Sequence, residues 1–176
     1  MSVRPVLRLG DPALRKQASN VPDGWLSFGR LQALINDLID TKSARSGAGL
    51  AALQIGEHWR VVVGMGVNPR YPHAPLVPER VLMNPEITSL VTDTIAGWEG
   101  CLSLPRLRGE VKRWQRIHLI WRDLNGRCQH EDLEGFLARV VQPECDHLDG
   151  VLFPDRLRHE TAFGFEDELR AAGLLP

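Results

Sequence analysis

Residues 136–148, Phe-Leu-Ala-Arg-Val-Val-Gln-Pro-Glu-Cys-Asp-His-Leu, constrain the fold more than any other stretch of the chain. Phe136, Leu137, Val140, Val141 and Leu148 recur at helical spacing, so the segment is expected to be a helix packed through these side chains. Glu144 and His147 are three residues apart and share one face. Pro143 falls in the interior of that helix. It lacks an N–H, and its ring clashes with the carbonyl of Arg139 at a cost of roughly 3 kcal/mol. The helix is therefore expected to kink or loosen between Arg139 and Pro143.

A second helix is expected over 27–44, where Leu31, Leu34, Ile35, Leu38 and Ile39 fall on one face. Ser46 to Gly49 ends it in a turn. Asp11 and Pro12 start a short helical turn as cap and first residue. Arg60 to Met65 reads as a buried strand. Residues 68–78 carry four prolines and are expected to be a surface loop. Val81–Met83 and Glu86–Val91 read as strand, broken by Asn84-Pro85. Arg116–Asp123 alternates through Ile117, Leu119 and Trp121, and Asn125-Gly126 then marks a hairpin. A last short helix is expected over Glu166–Ala172. Helix, mostly antiparallel strands and helix again make an α+β pattern.

The 176 residues are expected to form one domain, 1–176. Lys plus Arg nearly equals Asp plus Glu, leaving a net charge of −1, which favours neither a nucleic-acid nor a membrane-surface partner. No apolar run is long enough to span a bilayer. The amino-terminal residues hold no signal-like apolar core, so a cytoplasmic location is expected. Cys101, Cys128 and Cys145 are odd in number and widely spaced, which argues against a disulfide framework. No surface heptad suggests more than a monomer.

Three motifs carry the chemistry. The first is Gly47-Ala-Gly-Leu-Ala-Ala-Leu-Gln54, where small residues let backbone approach a ligand and Gln54 offers an amide. Alone it also reads as a glycine-rich helix exit. The second is Glu99-Gly-Cys-Leu-Ser-Leu-Pro105. Its cysteine reads as a buried filler, a nucleophile or a metal ligand. The third is Gln142-Pro-Glu-Cys-Asp-His147, which pairs a carboxylate with an imidazole on one helical face. On its own such a pair is usually solvated.

In this order and spacing the three motifs resemble peptide deformylase, whose pattern is Gly-x-Gly-x-Ala-Ala-x-Gln, Glu-Gly-Cys-x-Ser and Gln-His-Glu-x-Asp-His. The first two are matched throughout and the third everywhere except Pro143. The resemblance extends to Leu9–Arg15, Trp98, Leu107–Gly109 and Phe153–Asp155. It implies antiparallel sheets around a central motif-bearing helix. It also implies removal of the N-formyl group from the initiator methionine of nascent peptides, releasing formate. Cys101 and His147 would bind a divalent metal, Fe(II) in the family with zinc or nickel as substitutes. Glu144 would shuttle the proton. The Gln54 amide and the Leu102 N–H would stabilise the oxyanion. Gly49, Gly97 and Gly100 would receive the peptide as an added strand. The partners implied are N-formylmethionyl peptides, at the ribosome exit.

The chain departs from this pattern at two places. Leu53 replaces a usual proline and is expected to matter little. Pro143 removes one histidine ligand, so metal binding is expected to weaken, because catalytic sites usually hold three protein ligands. Three readings stay open. In one, the hydrolase persists with Glu144 or water completing the shell. In another, an inactive homologue binds N-terminal peptides. In the third, a one-codon replacement sits in an otherwise ordinary enzyme. Arg139, one turn before Pro143, is assigned no role.

Overall fold

The computed structural model describes residues 2–27, 29–66, 75 and 77–175. Most of the proline-rich stretch expected to be a surface loop (68–74 and 76) lies outside the described residues. A short 3-10 turn at Pro12–Arg15 is capped by Asp11, whose carboxylate accepts from the Ala13 N–H at 2.9 Å. Helix α1 spans Gly29–Ala44, as its periodicity predicts.

Strands β1 (Gly49–Ala51), β2 (Val61–Gly64), β3 (Arg80–Ser89), β6 (Arg116–Arg122) and β7 (Cys128–Glu134) form one antiparallel sheet in the order β1-β2-β3-β6-β7. Strands β4 (Thr94–Cys101), β5 (Leu104–Trp114) and β8 (Phe163–Phe165) form a second antiparallel sheet in the order β4-β5-β8. Helix α2 (Gly135–Leu148) carries the third motif, and α3 (Glu166–Ala171) follows β8. This is the expected α+β arrangement.

The larger sheet is buried on both faces where it passes between the helices. Val61 and Val63 face a core shared with Leu31, Ile35 and Leu38 of α1. Val62, between them, faces the opposite core, with Val141, Cys145 and Leu148 of α2. Period-two alternation thus feeds two cores from one strand. Leu53 is fully buried in the α2 core, so the departure there is absorbed by packing. Helix α2 touches both sheets, which makes it the central element.

One expectation needs correcting. Asn84-Pro85 does not divide two strands. β3 runs through it, and the register against β6 shifts between Met83 and Glu86. Asn84 takes φ 49°, and its side chain accepts from the Val21 N–H and donates to the Val21 carbonyl. Proline, with no N–H to offer the ladder, is accommodated at such a bulge. Pro143 lies inside α2, which is helical from Gly135 to Leu148.

Side chains on three successive turns hold that helix in place. Arg139 donates to the carbonyls of Ile95, Gly97 and Val111. Gln142 exchanges hydrogen bonds with the Trp114 backbone, accepting at 3.1 Å and donating at 2.9 Å. Asp146 accepts from Arg113 and Arg156. These tertiary ties offset the local cost of the proline.

Candidate active site

The first motif enters as β1 and then turns sharply through a 3-10 turn at Ala52–Ile55. Gln54 is buried in that turn. Its Oε1 accepts from the Ala51 N–H at 2.9 Å, which fixes the amide and points Nε2 outward. Nε2 donates to Cys101 Sγ at 3.3 Å and to Ser103 Oγ at 3.2 Å. The second motif is the end of the β4–β5 hairpin, with Cys101 closing β4. The Ser103 N–H also donates toward the sulfur, at 3.4 Å. From α2, His147 brings Nε2 to 3.3 Å from Cys101 Sγ.

Glu144 lies one turn before His147. A Cβ built on Gly49 would collide with its carboxylate, so backbone at 49 and carboxylate at 144 are in direct contact. Glycine at 49 is therefore a steric requirement of the site. Burial pushes the Glu144 carboxyl up to about 8, and the charge of Glu99 pushes the same way against Arg113 and Lys42. Its Oε2 has no hydrogen-bond partner among the described residues. Burial likewise raises the Cys101 thiol to about 12 and lowers the His147 imidazole to about 4. Burial thus favours the neutral form of each group.

Gly49, Gln54, Gly100, Cys101, Leu102, Glu144 and His147 all line one cleft of about 370 Å³. Pro143 lines it too, one residue before Glu144. Gly97 is not among the residues lining it; its carbonyl accepts from Arg139 at 2.6 Å. At Gly100 a side chain would strike the Arg108 guanidinium.

Comparison with known proteins places this geometry. The polypeptide deformylase family model matches residues 3–162. The chain belongs to the polypeptide deformylase family. It is 52% identical over 177 residues to peptide deformylase 1 of Prochlorococcus marinus, covering 99% of this chain and 91% of that protein. It is 43% identical to the peptide deformylase of Leptospira biflexa, over 99% of both. Among solved structures, the Met-Ala-Ser-bound class I type b peptide deformylase of Acinetobacter baumannii superposes with a TM-score of 0.85. It shares 37% identity over 89% of this chain and 99% of that one. The deformylases are hydrolases, and metalloenzymes as a family.

A divalent metal is implied, and the donors present meet part of what it needs. Metal–sulfur and metal–nitrogen bonds of about 2.3 and 2.0–2.1 Å at a tetrahedral angle put two donors about 3.6 Å apart. The 3.3 Å between Cys101 Sγ and His147 Nε2 fits two ligands of one ion. A third protein donor is missing: no group of three His, Cys, Asp or Glu suited to a metal occurs among the described residues. His147 Nδ1 also has no hydrogen-bond partner there, whereas a ligating imidazole is normally oriented through its second nitrogen. The donor set is two-thirds of a deformylase centre.

Sequence reasoning overlooked Arg139 and Arg113. Arg113 is buried, donates to both Glu99 oxygens at 3.0 and 2.9 Å, and reaches Asp146. It lies on β5, outside every motif, and only the buried acids of two motifs hinted that a cation was needed. The charges of Glu99 and Asp146 hold the Arg113 guanidinium above its ordinary value against the opposing effect of burial.

Proposed function

We propose that this chain acts on N-formylmethionyl peptides as a deformylase-type amide hydrolase whose metal centre is short of one protein ligand. The observation that carries the reading is the convergence of Cys101, His147, Gln54 and Glu144 on one cleft beside Gly49. The peptide enters extended, pairing its main chain with the Gly49 edge. Its N-terminal residue lies in the cleft, between apolar walls that include Leu102 and Phe153.

Cys101 and His147 would hold the ion, Fe(II) with zinc or nickel as substitutes, and when bound it would supply Lewis acidity and an activated water. The remaining chemistry belongs to the chain. Gln54 Nε2 and the Leu102 N–H donate to the oxygen of the formyl carbon as it becomes tetrahedral. Glu144 takes the proton from the attacking water and returns it to the departing amine at its Oε2. The formyl group leaves as formate. Action on nascent chains in the cytoplasm, near the ribosome exit, follows from the substrate.

The missing third donor favours a second reading, in which the cleft binds formylated N-termini and turns them over slowly or not at all. Both are tested by metal content and formate release from formyl-Met-Ala-Ser, measured on anaerobically purified protein beside Pro143→His. About one metal per chain with sustained formate release supports the hydrolase. An inert, metal-poor chain beside an active revertant supports the binding role. An inert revertant would reject the deformylase reading of the site.

A further inference from the structure

The mouth of the cleft carries cations that the reaction does not need. Arg8, Arg45, Arg106 and Arg108 all line it. Two are neutralised within the fold: Arg108 by Glu166, and Arg106 by Asp167. The carboxylates of the lining are likewise engaged. Glu99 is held by Arg113 and Arg139, Glu166 also meets Arg170, and Glu144 is packed against Gly49. Arg8 and Arg45 remain. Both are exposed, and neither has a carboxylate partner among the described residues. A chain of net charge −1 thus presents two positive charges with no carboxylate partner among the described residues at this cleft.

The backbone holds both arginines there. Leu7 donates to the Gln54 carbonyl at 2.8 Å and Leu9 to the Ser103 carbonyl at 2.9 Å, so the residues flanking Arg8 are bonded to the first and second motifs. Arg45 follows the last turn of α1, where its N–H reaches the Thr41 and Lys42 carbonyls. Ser46 then takes φ 51° and Gly47 bonds back to Lys42, so the chain turns directly from Arg45 into the cleft wall.

We propose that Arg8 and Arg45 are specificity residues that select peptides with acidic side chains at the two positions that directly follow the N-terminal residue. This rests on the peptide reading of the cleft. An N-blocked peptide has no charge of its own at the buried end. Extended at about 3.3 Å per residue, it brings its next few side chains to the opening. Aspartate or glutamate there meets the free guanidinium groups, and lysine is repelled. Exposed pairs of this kind are modest and screened by salt, so the preference is of the order of five- to ten-fold at low ionic strength and shrinks at high.

The test is a four-peptide titration on the full-length Glu144→Gln chain, which stops turnover. Formyl-Met-Ala-Ser, formyl-Met-Asp-Glu and the acetyl-blocked form of each are followed by calorimetry at low and high salt. Tighter binding of the acidic pair, lost at high salt and in an Arg8→Ala/Arg45→Ala chain, is the expected result. Equal affinity for acidic and neutral peptides, or a preference that survives the double replacement, overturns it. The blocking group tests the site separately. If acetyl and formyl peptides bind alike while the acidic preference holds, the deformylase reading fails and the charge rule stands. Failure of all four peptides to bind overturns both.

Discussion

The Glu144 carboxylate and the Gly49 backbone occupy adjoining space with no room for a single methyl group between them. The acid of the third motif is thereby registered against the strand that begins the first. Gly49→Ala must displace either β1 or the carboxylate. Since Glu144 is flanked by Pro143 on a tied helix, the carboxylate is the part that moves. Formate release, in the chain or in its Pro143→His form, is expected to fall at least about ten-fold, the scale associated with misplacing a proton-transfer group. Unchanged kcat with a normal melting temperature would contradict the contact.

Pro143→His is expected to raise metal content toward one per chain and formate release by orders of magnitude, through restoration of the third ligand. Pro143→Ala separates fold from chemistry. It returns a backbone donor and removes the ring, so thermal stability should rise by about 1–3 kcal/mol with no gain in metal. A loss of stability in Pro143→Ala would mean that the ring is packed usefully in the cleft wall.

Glu144 makes stability depend on pH in a definite direction. Its folded-state value, about 8, lies above its ordinary value of 4.5. Between those limits the folded chain holds a proton that the unfolded chain releases, so the contribution of Glu144 to stability declines as pH rises from about 5 to 8. Glu144→Gln removes that penalty. Its advantage over the parent should be small at pH 5 and reach about 4 kcal/mol at pH 8 for metal-free protein. His147 acts in the other direction, losing stability as pH falls from 6.5 toward 4, and it is common to both proteins. Parallel stability curves for the two proteins would show Glu144 to be ionised normally.

Arg139→Met should cost about 2–4 kcal/mol. It strips the donors from the Ile95, Gly97 and Val111 carbonyls and one cation from buried Glu99. Denaturant unfolding measures the loss, and Arg139→Lys should recover less than half of it, since one ammonium cannot span the same acceptors. A melting temperature within a degree of the parent would remove Arg139 from the account of why α2 tolerates its proline.

How much of this was legible beforehand depends on the kind of signal. α1 and α2 were visible because Leu31 to Ile39 and Phe136 to Leu148 repeat at 3.6 residues. β2 was visible because three consecutive valines have few alternatives. β4 and β5 were not, because Gly97, Gly100 and Gly109 interrupt any alternation. Those glycines answer to Arg139, Arg108 and Phe153, residues 8 to 44 positions away along the chain. The same non-locality hid the continuity of β3, where Asn84 finds its partner in Val21. At the site, the motif order pointed to Gln54, Cys101, Glu144 and His147. The Arg139 bond to the Gly97 carbonyl, 42 residues away along the chain, had no signal in the motifs. The cohesion of α2 was opaque for a related reason: the cost of a proline is local and readable, whereas the ties that offset it come from Trp114, Arg113 and Arg156.

Those ties sit on residues 139, 142 and 146, interleaved with cleft residues 143, 144 and 147 on the same helix. Anchorage and chemistry are thus written on alternating positions of one segment and can change independently. A lineage can exchange a ligand on one side without losing the shape specified from the other. A chain of this kind keeps its cleft when a ligand position changes, and a single codon separates proline from histidine at 143.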